Sequence, residues 1–244
     1  MSTVFNPAPR ISVLPLAPGS GAGSVHHCLV LDDVLADPQA LVDWAREQAF
    51  GLPRGYPYPG QVLDAPDALR ERVADHFALH TRSRLGGRRT LDLTLRFSMV
   101  TTPPQALEPR QWQCHRDRVS TDPTVLFAAS VLYLFHTPAL GGTSFYVPKQ
   151  SAAETDRLLA DSQLLDAATF AARYGLQPGY MAGSNAYFER VARVPAAWNR
   201  MIVYDGSVFH SADVDSPALL HADPARGRLT LNGFFTCKRT AHNN

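Results

Sequence analysis

The chain has 244 residues, 45% of them apolar and 18% charged, which suits a folded protein with a sizeable core and excludes intrinsic disorder. Lys+Arg number 23 against 22 Asp+Glu, so no charge excess argues for nucleic acid or an acidic membrane as the main partner. No apolar run approaches the roughly 18 residues of a membrane span, ISVLPLA is too short and proline-broken for a signal peptide, and the odd set Cys28, Cys114 and Cys237 points to a reducing cytoplasm rather than a disulfide framework.

In chain order, the prolines and glycines of residues 1–24 predict an irregular lead-in. HHCLVLDDVL reads as a short strand. Asp37 with Pro38 opens a helix through about Phe50, GLPRGYPYPG reads as a loop, and a second helix runs from about Pro66 to His80. His76 and His80 are expected on its exposed polar side, and the basic cluster Arg82–Arg89 in a solvated loop. From Thr90 the period changes to two. Leu91, Leu93, Leu95, Phe97 and Met99 alternate with Asp92, Thr94, Arg96 and Ser98, the mark of a strand with two distinct faces. Strands are expected at Val125–Phe135, Thr143–Val147, Phe188–Val194, Met201–Tyr204, Val208–Ala212 and Arg228–Cys237, interrupted by a helical insertion over 151–182. The pattern predicts one domain over 1–244: a helical support region (25–89), then a mainly β core (90–240), a barrel or jelly roll with helices packed on one sheet.

The segment QWQCHRDR carries His115 and Asp117. Residues i and i+2 of an extended segment point to the same side about 7 Å apart, so both can reach one ion. A third ligand is available at His210, in YDGSVFHSAD. Two imidazoles and one carboxylate form the facial set of non-heme Fe(II) oxygenases. On the last strand, RGRLTLNGFF, Arg228, Thr230, Asn232 and Phe234 share one face and Leu229, Leu231 and Phe235 the other. With the leucines against helices, Arg228 points inward, where a guanidinium without a counter-charge is costly and a bound carboxylate removes the cost. Tyr133 points inward from its strand by the same logic, between outward Leu132 and Leu134.

These pieces, H-x-D at 115–117, Tyr133-Leu134, the G-G-T at 141–143, His210 and R-x-T at 228–230, resemble the Fe(II)/2-oxoglutarate-dependent dioxygenases, in their prolyl-4-hydroxylase-like branch. The resemblance covers roughly Leu91 to Lys238 and implies a double-stranded β-helix. It implies that His115, Asp117 and His210 ligate Fe(II), and that Arg228 binds the distal carboxylate of 2-oxoglutarate, with Tyr133 and Thr230 assisting. It also implies O2 as oxidant, ascorbate as the assay reductant, and hydroxylation or desaturation of a C–H bond with release of succinate and CO2. The carboxylate of Asp117 favours those outcomes over halogenation. Arg228 lies eighteen positions after His210, farther than in many members, which makes Arg226 a rival; the strand alternation favours Arg228. Arg96, Ser98, Trp112 and Gln113 are candidate substrate contacts, Trp198 and Asn199 candidate pocket or lid residues, and 51–61 and 151–182 candidate lids. Cys114 reads as a packing residue. The substrate is expected to be a small molecule, an amino acid or a peptide. Two other classes remain open: a jelly-roll module that binds a small carboxylate or sugar without catalysis, and a cupin-type hydrolase or isomerase using zinc or manganese.

Overall fold

The computed structural model describes residues 4–16 and 26–240. Among them are ten strands and four α-helices: β1 (Arg10–Pro15), β2 (His27–Asp32), α1 (Gln39–Arg46), β3 (Gly60–Asp64), α2 (Asp67–His80), β4 (Gly87–Val100), β5 (Val125–Tyr133), β6 (Thr143–Pro148), α3 (Ala152–Leu164), α4 (Ala167–Tyr174), β7 (Phe188–Val194), β8 (Met201–Asp205), β9 (Phe209–Ala212) and β10 (Arg228–Arg239). They form a seven-stranded sheet, β1-β2-β8-β5-β10-β4-β3, and a three-stranded sheet, β7-β6-β9. All the pairings are antiparallel. The architecture is that of a β-sandwich with helices on its flanks.

The strand alternation sorts side chains into three apolar layers. The outward residues of the large sheet, including Leu95, Phe97, Leu132, Leu229, Leu231 and Phe235, pack against Leu41, Val42 and Ala45 of α1 and Leu69, Val73 and Phe77 of α2. Phe77 stacks on Phe235 with ring centroids 3.8 Å apart, pinning α2 to β10. The inward residues Tyr133, Phe145, Ile202 and Tyr204 fill part of the space between the sheets. A third cluster joins Tyr146, Phe188 and Phe209 of the small sheet to Leu158 of α3 and Phe170 of α4. Each fully buried side chain of this size contributes about 1.5–3 kcal/mol relative to its exposed state.

Five expectations are corrected. The described part of the lead-in is not irregular throughout: ISVL forms most of β1, in register with β2 (Ile11 opposite Leu31). Its proline is tolerated because β1 is an edge strand and Pro15 ends it; residues 1–3 and 17–25 of that stretch lie outside the described residues. The proline-glycine loop runs into β3, the opposite edge, and a Cβ at Gly60 would stand 1.9 Å from the Met99 carbonyl oxygen, so only glycine allows that approach. The insertion over 151–182 holds two helices, because Leu165 is extended and the Asp166 side chain accepts a hydrogen bond from the Thr169 amide to cap a new helix. His76 is buried at 5% exposure, its ring 4.8 Å from Phe5. The N-terminal segment bridges Leu35 through Phe5 and brings an apolar ring onto a helix face that looks polar in sequence. The first helix is also shorter than expected, ending at Arg46 rather than about Phe50.

Candidate functional site

β9 places His210 inward and Phe209 outward, into the third apolar cluster. The segment before β5 continues the small sheet past β9. His115 and His210 exchange backbone hydrogen bonds of 2.9 Å in both directions, an isolated antiparallel bridge. The YDGS turn between β8 and β9 fixes the rest. Asp205 Oδ1 accepts hydrogen bonds from the amide (2.9 Å) and hydroxyl (2.6 Å) of Ser207, and the Gly206 carbonyl accepts from the amides of Asp117 (2.9 Å) and Arg118 (3.3 Å). A turn ninety residues downstream thereby positions the His-x-Asp pair.

The three side chains converge. One ligand atom from each of His115, Asp117 and His210 lies within 4.8 Å of the others. His115 Nε2 is 3.6 Å from Asp117 Oδ1, and His210 Nε2 is 3.5 Å from Asp117 Oδ2. His210 Nδ1 lies 2.9 Å from the Val208 carbonyl oxygen. That oxygen can only accept, so Nδ1 carries the proton and Nε2 keeps its lone pair for a cation. Burial pushes the His210 pKa down to about 4, against the upward pull of Asp117. Burial works to raise the Asp117 pKa, but the neighbouring imidazoles of His210 and His115, together with Arg96, outweigh it and hold the carboxyl below its ordinary value. Asp117 Oδ2 is buried without a hydrogen-bond partner. A neutral imidazole donor beside an ionised, unpartnered carboxylate oxygen suits a divalent metal, so the residues fit the group that the sequence implies.

A cavity of about 850 Å³ opens around the three side chains, lined by five arginines and two aspartates among its charged residues. Arg228 is 3% exposed and has no acidic partner among the described residues. Its Nε donates to the carbonyls of Leu140 (3.1 Å) and Gly141 (3.2 Å), and its Nη2 to that of Gly142 (2.7 Å). The two glycines make that cradle possible: Gly141 has φ +82° and a Cβ there would stand 1.5 Å from the Asp213 carbonyl oxygen, while one at Gly142 would stand 1.9 Å from that of Val194. The guanidinium is therefore not unpaired, as the strand pattern suggested, but its charge is still uncompensated. Arg226 is exposed and does not line the cavity.

The other candidates divide. Thr230 lines the cavity beside Arg228, with its hydroxyl donating to the Ser98 carbonyl at 3.3 Å. Gln113 lines it too, with both amide heteroatoms buried and unpartnered, as does Arg96. Tyr133 does not line it: its hydroxyl is 2.8 Å from Thr143 Oγ1, and Thr143 forms the wall, so Tyr133 supports from behind. Ser98 is likewise buried behind the lining. Trp112 turns away, its indole N–H donating to the Leu107 carbonyl at 2.8 Å and its ring set edge-on to Phe170; its helical dihedrals, φ −80° and ψ −7°, bend the chain there, and Gln113 takes the inward place. Cys114 is fully buried, its amide donating to Met181 Sδ at 3.2 Å, as a packing residue should be. Asn199 is spent on Leu35, with its Oδ1 accepting from the Leu35 amide and its Nδ2 donating to the Leu35 carbonyl, and Trp198 stacks on His136 outside the cavity. Neither lines the cavity.

Tyr58 and Asn232 are among the lining residues absent from the sequence candidates. Tyr58, from the loop before β3, presents a buried hydroxyl without a full hydrogen-bond partner. Burial raises its pKa to about 12, while Arg228, Arg96 and the nearby hydroxyls of Ser98 and Thr230 pull the other way. Asn232 lies on the inward face of β10, its Oδ1 buried and unpartnered. The candidate lid 51–61 contains the first without singling it out; the alternation of β10 already placed the second.

The chain belongs to the family described as "Family of unknown function (DUF6445)", which matches residues 17–235. No curated protein matches the sequence. Among solved structures it is similar to a Pseudomonas putida prolyl-4-hydroxylase, with 18% identity over 84% of this chain and 86% of that one at a TM-score of 0.40. It is also similar to SnoN, a non-heme alpha-ketoglutarate-dependent epimerase from nogalamycin biosynthesis (13% identity, 87% and 81% of the two chains, TM-score 0.48). A third is HygX from Streptomyces hygroscopicus, solved with nickel, 2-oxoglutarate and hygromycin B (11% identity, 93% and 82%, TM-score 0.45). All three likenesses are distant in sequence and in backbone. No helix among the described residues is long and apolar enough to cross a membrane.

Proposed function

We propose that this protein is an Fe(II)- and 2-oxoglutarate-dependent oxygenase that hydroxylates or desaturates a C–H bond of a small molecule, amino acid or peptide. The observation that carries the proposal is the convergence of His115, Asp117 and His210 at one end of a cavity whose wall also holds a buried guanidinium without an acid, Arg228. A hydrolase or isomerase has no need of that second feature, and a module that only binds a carboxylate has no need of the first. The sequence of strands supports the finer fold, a double-stranded β-helix. From β4 onward the chain alternates between sheets: β4 large, the His115 segment small, β5 large, β6 and β7 small, β8 large, β9 small, β10 large.

The roles follow from the geometry. Nε2 of the two histidines and the Asp117 carboxylate would hold the metal, which when bound supplies O2 activation coupled to decarboxylation of 2-oxoglutarate. The Val208 carbonyl fixes the His210 tautomer, so no proton must leave that nitrogen on loading. Arg228 would bind the distal carboxylate of 2-oxoglutarate through the edges its carbonyl cradle leaves free, with Thr230 and the Tyr58 hydroxyl adding hydrogen bonds. Tyr133 holds Thr143 in place, and the inter-sheet aromatics Phe145 and Tyr204, which meet edge-on at 5.1 Å, keep water from one side of the His210 ring.

The test is succinate formation from 2-oxoglutarate with Fe(II), O2 and ascorbate, in the absence of a prime substrate. Slow turnover in the wild type and none in Asp117→Ala is the expected result. No succinate, together with no 2-oxoglutarate binding to the Ni(II)-loaded protein, would sink the proposal.

A further inference from the structure

Arg228 accounts for one of the cavity's arginines; Arg96 is a second with no established task. Of the remaining three, Arg110 pairs with Glu108 at 2.6 Å, Arg116 with Asp156 at 3.5 Å, and Arg118 lies over the Phe127 ring. Arg96 has no acidic partner among the described residues. Its guanidinium carbon lies 3.9 Å from the Tyr56 ring centroid and 4.6 Å from that of Phe234. Its Nε is buried without a hydrogen-bond partner. Stacking on aromatic rings satisfies the faces of a guanidinium and leaves its edges, where all five donors lie, for a planar acceptor.

The neighbours narrow the ligand. Asn232 stands directly opposite Arg96 in the β10–β4 ladder, on the same inward face, where cross-strand Cβ atoms are about 5 Å apart. Its Oδ1 is buried and lacks a donor, and Gln113, on the His-x-Asp segment, leaves both amide atoms buried and unpartnered. One edge-on cation beside an acceptor that lacks an N–H calls for a carboxylate with an N–H next to it.

We propose that Arg96, clamped between Tyr56 and Phe234 and joined by Asn232 and Gln113, binds the head group of the prime substrate, and that this head group is an α-amino carboxylate, free or N-acylated. The assignment rests on the oxygenase reading for the words "prime substrate", but the anion site itself does not. Arg96 is then a specificity-determining residue: it fixes which end of the substrate faces the cavity wall, and so which C–H bonds approach the metal end.

The experiment measures binding by calorimetry to the full chain, metal-free and loaded with Ni(II) and 2-oxoglutarate. The probes are a panel of L-amino acids and N-acetyl-L-amino acids, each beside its uncharged carboxamide. Carboxylates should bind, and their carboxamides roughly ten- to hundredfold more weakly, the range expected for losing charge-assisted hydrogen bonds. Arg96→Gln should erase that preference, Arg96→Lys should recover part of it, and both should bind 2-oxoglutarate as the wild type does. Arg228→Gln should lose 2-oxoglutarate yet keep the carboxylate preference. Equal binding of carboxylates and carboxamides, no probe binding at 10 mM (on the order of the weakest useful affinity), or loss of 2-oxoglutarate binding in Arg96→Gln would each overturn the proposal. If the wild type fails to bind 2-oxoglutarate while the carboxylate preference still depends on Arg96, the oxygenase reading falls and the anion site stands.

Discussion

The two faces of β10 differ in kind. On one, Leu229, Leu231 and Phe235 meet α1 and α2 in an apolar layer; on the other, Arg228, Thr230, Asn232 and Phe234 face a cavity where charge and hydrogen-bonding capacity go unanswered. A buried donor or acceptor without a partner costs about 1–3 kcal/mol, so the inward face is held in place at the expense of stability contributed by the outward one. A single strand carries both tasks because its side chains alternate, and each task can be damaged without the other.

The largest effect should come from removing the carboxylate at the metal end. Asp117→Ala is expected to lower Ni(II) or Fe(II) affinity by more than about 100-fold, beyond the 10–100-fold typical of residues that only orient a ligand. The metal-free melting temperature should change little, as read by calorimetry and thermal unfolding. On the opposite face, Phe235→Ala should cost about 3–5 kcal/mol in denaturant unfolding through the lost Phe77 stack, with metal affinity retained in the folded fraction. If instead Asp117→Ala unfolds the protein, or Phe235→Ala abolishes metal binding in the folded state, the division between the faces is mistaken. Arg228→Ala is expected to raise the 2-oxoglutarate requirement roughly 100-fold while metal affinity holds, and Arg226→Ala to leave both unchanged; the reverse outcome would transfer the clamp to Arg226.

Two smaller effects sharpen the contrast. His76 lies on the helix side, its folded pKa lowered to about 4 by burial and by the neighbouring His80. Its folded value lies below that of the unfolded chain, so the unfolded state takes up the proton first, and stability is lost as pH falls from about 6.5 toward about 4. The shift corresponds to roughly 3 kcal/mol. Denaturant midpoints of His76→Leu should therefore fall less between pH 7 and pH 4.5 than those of the wild type. Tyr58→Phe should weaken 2-oxoglutarate binding by at most about tenfold, one neutral hydrogen bond, while raising the stability of the ligand-free protein by up to about 1–3 kcal/mol in denaturant unfolding, because the hydroxyl removed is buried without a partner.

Much of the framework is legible along the chain because alternation is a local signal. The two faces of β4, β5 and β10 follow from residues two apart, and the outward set Leu95, Phe97, Leu132, Leu229 and Leu231 is found in one apolar cluster. The edges were less legible. β1 and β3 lie among prolines and glycines that read as loop, and they are strands only because a neighbouring ladder is available to pair with them. Trp112 and Tyr133 carry the chemistry of binding residues, but one turns into a third core and the other stands behind Thr143.

What the sequence determined by itself is the supply of parts: an imidazole and a carboxylate two apart, a second imidazole on a short strand, and an arginine on the inward parity of the last one. What only the tertiary structure decided is their meeting. The Gly206 carbonyl draws in the His-x-Asp segment, the Gly141-Gly142 carbonyls enclose Arg228, and Tyr56 and Tyr58 arrive from a loop with no periodicity to announce them. The physical reason is range. Side-chain parity is set by the backbone of neighbouring residues, whereas the partner of a buried polar atom is set by whichever distant segment the packing of two sheets brings within about 3 Å.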